Sequence, residues 1–207
     1  VCGAPGIGKT SVCREVVRRW SGAGKDSVTV ALRGAHGHEA LVARLAESLG
    51  VDAAAPVAAP GGGRSPYAEA RKRVLDDLRG RCESRELLLY LDNFEDPYHA
   101  SASSREKDGE TVGLVRECSK IANLSELISS RDRLDGLFSP VDLGALGRGD
   151  SEALFASYWF GEPEHDAAGL GAEEGFSDFV RLRLGSHPLS IILAASQRGR
   201  VGSFQEL

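Results

Sequence analysis

Apolar positions along the chain change period several times, and each change marks an element. Val12, Cys13, Val16, Val17 and Trp20 recur at helical spacing, with Arg14, Glu15, Arg18 and Arg19 opposite them. A helix is expected over 10–20, stopped by Ser21-Gly22-Ala23-Gly24. Ser27 to Leu32 is β-branched and apolar, as a buried strand is. His38 to Leu49 returns to helix, with Leu41, Val42, Leu45 and Leu49 on one face and Gly50 closing it. Tyr67 to Cys82 aligns Tyr67, Ala70, Val74, Leu75, Leu78 and Cys82, leaving Arg71, Lys72, Arg73, Asp76 and Asp77 on the solvated face.

Leu87-Leu88-Leu89-Tyr90-Leu91-Asp92 is an unbroken apolar run ending in a carboxylate, the pattern of a central parallel strand. A helix from Glu110 to about Ile121, a strand from Leu124 to Ser130 and a short strand at Val141-Asp142-Leu143 follow. Beyond Gly144 the alternation stops. Asp150 or Ser151 can cap a helix carrying Ala153, Leu154, Phe155, Tyr158 and Trp159; further helices are expected over Phe176–Leu184 and Leu189–Gln197, with a turn at Gly185–Pro188. The expected architecture is therefore α/β over 1–145, a parallel sheet flanked by helices, then a small all-α subdomain over 146–207. Residues 52–66, rich in Ala, Pro and Gly, read as a flexible insert, and 97–110 and 161–175 as loops.

Composition narrows the picture. The chain has 207 residues, 42% hydrophobic and 27% charged, which is globular. A net charge of -5 implies no broad basic surface, so nucleic acid is not an expected partner. No apolar run is long enough to span a bilayer, and no membrane partner is expected. Cys2, Cys13, Cys82 and Cys118 stand singly, as buried reduced thiols of a cytoplasmic protein do. His36-Gly37-His38 reads as a surface turn rather than a metal site. A phosphate-binding loop ordinarily follows a buried strand, and only Val1 and Cys2 precede Gly3 here. With no methionine present, the sequence reads as a segment of a longer protein.

The candidate chemistry starts at Gly3-Ala4-Pro5-Gly6-Ile7-Gly8-Lys9-Thr10-Ser11, which fits G-x-x-x-x-G-K-[ST]. Glycines let such a turn aim successive N–H groups inward as a nest for phosphate oxygens, and the following helix adds the positive end of its dipole. Lys9 is placed to reach β- and γ-phosphates and the Thr10 hydroxyl to ligate Mg²⁺. Asp92 ends a central strand on the edge where ligands of open α/β sheets bind, as a second Mg²⁺ contact. Arg131, beyond the next strand, stands on the same edge.

Taken in order, these segments resemble the NB-ARC group of STAND P-loop ATPases, signalling switches related to AAA+ proteins. Gly3–Ser11 resembles their Walker A, Leu87–Glu95 their Walker B in its L-D-N-F-E form, and Leu127-Ile128-Ser129-Ser130-Arg131 their sensor 1 strand. Leu143–Phe155 resembles the entry to the first helical subdomain, and Gly185-Ser186-His187-Pro188-Leu189 the G-x-P-L motif, whose proline approaches adenine in the family. The resemblance implies a sheet order 5-1-4-3-2, ATP/ADP and Mg²⁺ as cofactors, and self-association of the full-length protein. It also implies sensor repeats of TPR or WD40 type, and Arg131 against the γ-phosphate. Asn93 stands where many relatives carry a second Asp, which leaves Glu95 as the nearest substitute for the residue that orients water. The family's winged-helix region with its M-H-D motif has no match in these residues.

The leading expectation is an ATP/ADP-binding switch with slow Mg-dependent hydrolysis. The alternatives are a scaffold that holds ADP without turnover, and a P-loop small-molecule kinase, against which the helical G-x-x-P-L region speaks.

Overall fold

The computed structural model describes residues 1–52, 66–102, 107–134, 138–160, 174–201 and 203–207. They form two compact units. One comprises Val1–Cys2 and Lys9–Val141, the other Gly3–Gly8 and Asp142–Leu207.

The first unit is built on three parallel strands, β1 (Asp26–Ala31), β2 (Leu87–Asp92) and β3 (Leu124–Ile128), in the order β1-β2-β3. Cys2 adds a parallel bridge to Ser130, and its N–H donates to the Val141 carbonyl at 2.9 Å. Val141 and Cys2 thus lie in succession beyond β3, at the places the expected order gives its fifth and first strands, but neither segment forms a strand and the sheet proper is three-stranded. Helices α1 (Lys9–Gly22), α2 (Gly37–Leu49), α3 (Pro66–Cys82), α4 (Glu95–Ala102) and α5 (Lys107–Cys118) flank the sheet. The expected α/β fold of P-loop NTPase type, with an all-helical part after it, is the fold observed.

β2 is central, and its sequence explains why. Its first five residues are buried, since helices cover both faces. Side chains alternate along a strand. Leu87, Leu89 and Leu91 join Leu41, Leu45, Val74, Leu78 and Leu114 in the main core. Tyr90 and Asp92 therefore share the other face, toward α1.

The segment expected to be a loop over 97–110 is instead largely helical, as α4 and the start of α5, with 103–106 outside the described residues. Phe94 and Tyr98 are the only large apolar residues near α4, one turn apart and stacked at 6.3 Å, too few to show a period. Pro97 sits in the first turn, where its missing N–H costs nothing. His38 is likewise not in a surface turn: it is buried in α2, its ring 4.6 Å from that of Tyr67, because Gly37 starts the helix at φ 81. Val141–Leu143 forms no strand beyond an isolated bridge position at Asp142. The expected insert over 52–66 falls almost wholly outside the described residues.

The second unit comprises α6 (Arg148–Phe160), α7 (Phe176–Asp178) running on as a π-helical turn (Phe179–Arg183), α8 (Pro188–Ala195) and two 3₁₀ turns. Its core is aromatic: Phe155 stacks on Trp159 and meets the edge of Phe176, both at 5.3 Å, and Phe204 closes on Phe176 at 5.3 Å. The π-turn replaces the plain helix expected there. Its wider winding lets Phe176, Phe179 and Val180 turn toward one cluster. The expected cap at Asp150 or Ser151 is not used. α6 begins at Arg148, ahead of both, and the Ser151 hydroxyl, buried, donates back to the Arg148 carbonyl at 2.8 Å. The loop expected over 161–175 lies outside the described residues up to 173. No described helix is long and apolar enough to cross a membrane, and all four cysteines are free and buried.

Candidate functional site

In the second unit, Gly3–Gly8 forms the glycine-rich turn. Gly6 has φ 76, the left-handed region that glycine enters without penalty, and a Cβ there would lie 2.7 Å from the Leu189 Cβ and 3.0 Å from the His187 ring. Ile7 is buried and donates its N–H to the Ala4 carbonyl at 3.3 Å, closing the turn on itself. His187 Nε2 lies 3.1 Å from the Pro5 carbonyl, so the proton sits on Nε2 and Nδ1 is left buried without a partner. Pro188 opens α8 at its first position, where proline's fixed φ suits a helix start.

In the first unit, Lys9, Thr10 and Ser11 make the first turn of α1. The Thr10 hydroxyl donates to Asp92 Oδ1 at 3.2 Å, so the loop's threonine and the strand-end carboxylate meet, as the motif spacing requires. The same oxygen accepts the Tyr90 hydroxyl at 2.7 Å and the Ser129 hydroxyl at 2.5 Å. Burial pushes the Tyr90 hydroxyl far above its ordinary range, so it stays a proton donor at every working pH. Burial also raises the Cys13 thiol, which faces Tyr90 from α1.

A hydroxyl and a carboxylate side by side are hard oxygen donors suited to Mg²⁺. Among the described residues no cluster of three or more His, Cys, Asp or Glu could hold a metal by itself. The pair therefore fits an ion that takes its remaining ligands from water and phosphate, as Mg²⁺ usually does.

Asn93 turns the chain out of β2 at φ 63, unusual for a side chain other than glycine. The turn is held by Ser129: its hydroxyl accepts the Asn93 N–H at 3.1 Å and its carbonyl the Phe94 N–H at 3.0 Å. These bonds bring Glu95 to the end of β3. Arg131 Nε meets Glu95 Oε1 at 3.0 Å, the arginine side chain 56% exposed and the glutamate 4%. Glu95 Oε2 is buried without a partner, and the Asn93 amide reaches Oε1 at 3.4 Å. Lys9, Thr10, Asp92, Glu95 and Arg131 thus belong to one unit, while Gly3, Ala4, Pro5, Gly6, Ile7, Gly8 and Pro188 belong to the other.

Tyr90, Ser129 and His187 were not singled out from the sequence. Tyr90 was findable, since a residue two before Asp92 on a strand shares its face. Ser129 and His187 act through contacts distant in sequence, which no local pattern carries.

Comparison with solved structures returns chains of similar fold. The Aeropyrum pernix ORC1 protein in complex with DNA superposes with a TM-score of 0.58 at 16% identity, over 96% of this chain and 53% of that one. Cdc6p from Pyrobaculum aerophilum gives 0.55 at 18% identity, over 96% and 55%. A chain of the Drosophila ORC bound to DNA gives 0.54 at 16% identity, over 93% and 53%. The chain spans about half the length of these neighbours. No protein-family model matches it, and no curated protein does.

Proposed function

We propose that this chain is the nucleotide-binding module of an NB-ARC/STAND-type switch that binds ATP and ADP and hydrolyses ATP slowly. The observation that supports it most is the Thr10–Asp92 hydrogen bond, which joins the phosphate-loop motif to the end of the central strand of a P-loop sheet. In this reading Gly3–Gly8 offers backbone N–H groups to the phosphates, Lys9 neutralises the β- and γ-oxygens, and Thr10 and Asp92 hold Mg²⁺. When bound, the ion would neutralise charge that develops on the phosphates. Arg131 meets the γ-phosphate and Pro188 lies against the adenine. A contact made with one nucleotide and not the other shifts a two-state equilibrium, which is what a switch requires.

The DNA bound by two of the structural neighbours belongs to those proteins. A net charge of -5 supports leaving nucleic acid out of this chain's reading. Self-association and sensor repeats belong to the proposal for the whole protein.

The test is isothermal titration of the intact protein with ADP and a slowly hydrolysed ATP analogue, beside a phosphate-release assay. Lys9→Ala should weaken ATP at least about tenfold, since a charge-assisted hydrogen bond contributes about 1.5–3 kcal/mol. Nucleotide binding without turnover would favour the ADP scaffold, and phosphate transfer only in the presence of an acceptor would favour the kinase. Failure of the wild-type protein to bind either nucleotide would overturn all three.

A further inference from the structure

We propose that Glu95 is a positioning residue for Arg131, holding the guanidinium by Nε so that its terminal nitrogens face an incoming γ-phosphate, and that the preference for ATP over ADP depends on it; this rests on the nucleotide-binding reading above. Four observations carry the inference. Glu95 is nearly inaccessible, 3% exposed, so it cannot follow a mobile partner into solvent. It is fixed at the first position of α4, directly after Phe94, which is fully buried. The Ser129 bonds to Asn93 and Phe94 lock that turn to the end of β3, which fixes the distance between the glutamate and residue 131. The contact engages Arg131 through Nε, the inner nitrogen of its fork.

An arginine held through Nε keeps both terminal NH₂ groups for another anion. It has also already lost much of the freedom that a half-exposed arginine would lose on meeting a phosphate. Immobilising one such side chain costs about 0.5–1.5 kcal/mol, so prior ordering makes binding roughly two- to tenfold tighter. That gain goes only to the ligand that Arg131 touches. Glu95, which the sequence offers as a substitute base, thus serves a different purpose, because its Oε1 is committed to the arginine. The opposite role, a partner that keeps Arg131 away from the phosphate, would change affinity with the opposite sign.

The experiment measures dissociation constants for ADP and the ATP analogue in the intact protein carrying Glu95→Ala, Glu95→Gln, or Glu95→Gln with Arg131→Ala. The double variant is preferred to Arg131→Ala alone, which would leave a buried carboxylate without its cation. Glu95→Ala should weaken the ATP analogue about two- to tenfold and ADP by less than about twofold. Glu95→Gln, which keeps an acceptor oxygen in the same place, should restore most of the difference. The double variant should lose it again. Equal weakening of both nucleotides by Glu95→Ala would make the residue merely structural, and tighter binding of the ATP analogue would make it a restraint; either result overturns the proposal. If the wild-type protein binds neither nucleotide, the underlying reading fails and the proposal falls with it. The Arg131 Nε–H resonance of the nucleotide-free protein, wild type against Glu95→Ala, reports the ion pair separately from that outcome.

Discussion

Replacing Gly6 by alanine tests whether the glycine-rich turn is shaped by its neighbours as well as by its own backbone. Two costs can be worked from the structure. At φ 76 an alanine enters the left-handed region, at about 1–2 kcal/mol. The new methyl would also lie 2.7 Å from the Leu189 Cβ and 2.8 Å from its Cδ2. Cδ2 can swing away; a Cβ is fixed to the backbone and moves only with α8. Overpacking of this kind costs about 1–3 kcal/mol. The unfolded chain returns about 0.4–1 kcal/mol, because alanine has less freedom to lose than glycine. The net expectation is a loss of about 1–5 kcal/mol. Gly175 provides the control: it belongs to the same unit, has φ 82 and has no described residue within 4 Å of a would-be Cβ, so Gly175→Ala carries the backbone cost without the close approach. Urea unfolding followed by tryptophan fluorescence in a Trp20→Phe background reports the second unit, where Trp159 is buried in the core. Gly6→Ala should cost at least about 1 kcal/mol more than Gly175→Ala. Equal costs would show that α8 yields freely and that the close approach constrains nothing.

Two further outcomes follow from the cores and from one partly buried acid. Phe155→Ala removes the ring shared by Trp159, Phe176 and Phe179, and should destabilise the second unit by about 3–5 kcal/mol in the same urea assay; a loss below about 1 kcal/mol would refute a tightly packed cluster. Burial pushes the Glu126 carboxyl up to about 7, only partly opposed by the Ser119 hydroxyl that donates to it. Between an unfolded value near 4.5 and that folded value the native state binds the extra proton, so stability should fall as pH rises through this window, and Glu126→Gln should flatten the fall. Melting temperatures from pH 4.5 to 8 check the sign, and a wild-type curve that rises across the window would refute it.

Much of the first unit was legible in the sequence because its strongest signals are local. The apolar run 87–91 reads as a strand buried on both faces and is one, and the helical spacing over 10–20 located α1, although of its apolar positions only Cys13 is buried and Val12 and Val16 are exposed. What was hidden depends on partners far along the chain. α4 shows no period because its single apolar contact face rests on Phe94 and Tyr98. The start of α6 was misplaced because Ser151 looks like a cap but spends its hydroxyl inside the helix. The π-turn at Phe179 answers to the ring of Phe155, at 6.0 Å, which no window around residue 179 contains. For the candidate site, the motif spacing located Thr10 and Asp92, yet not the three hydroxyls that converge on one carboxylate oxygen.

That convergence has a consequence for the character of the Thr10 oxygen. An alcohol is amphoteric: it can give a proton to an anion or lend electron pairs to a cation. Thr10 has its proton committed to Asp92, so toward the rest of its surroundings it acts as a Lewis base. Tyr90 and Ser129 commit their protons to the same oxygen, which spreads the carboxylate's charge over three hydrogen bonds and pins it in one orientation. The Thr10 oxygen is thereby turned toward cations by proton order alone, a directional bias set by the side-chain network of β2 and β3. Substituting Tyr90 or Ser129 would remove one of the donors that orient the carboxylate while leaving the Thr10 and Asp92 oxygens in place.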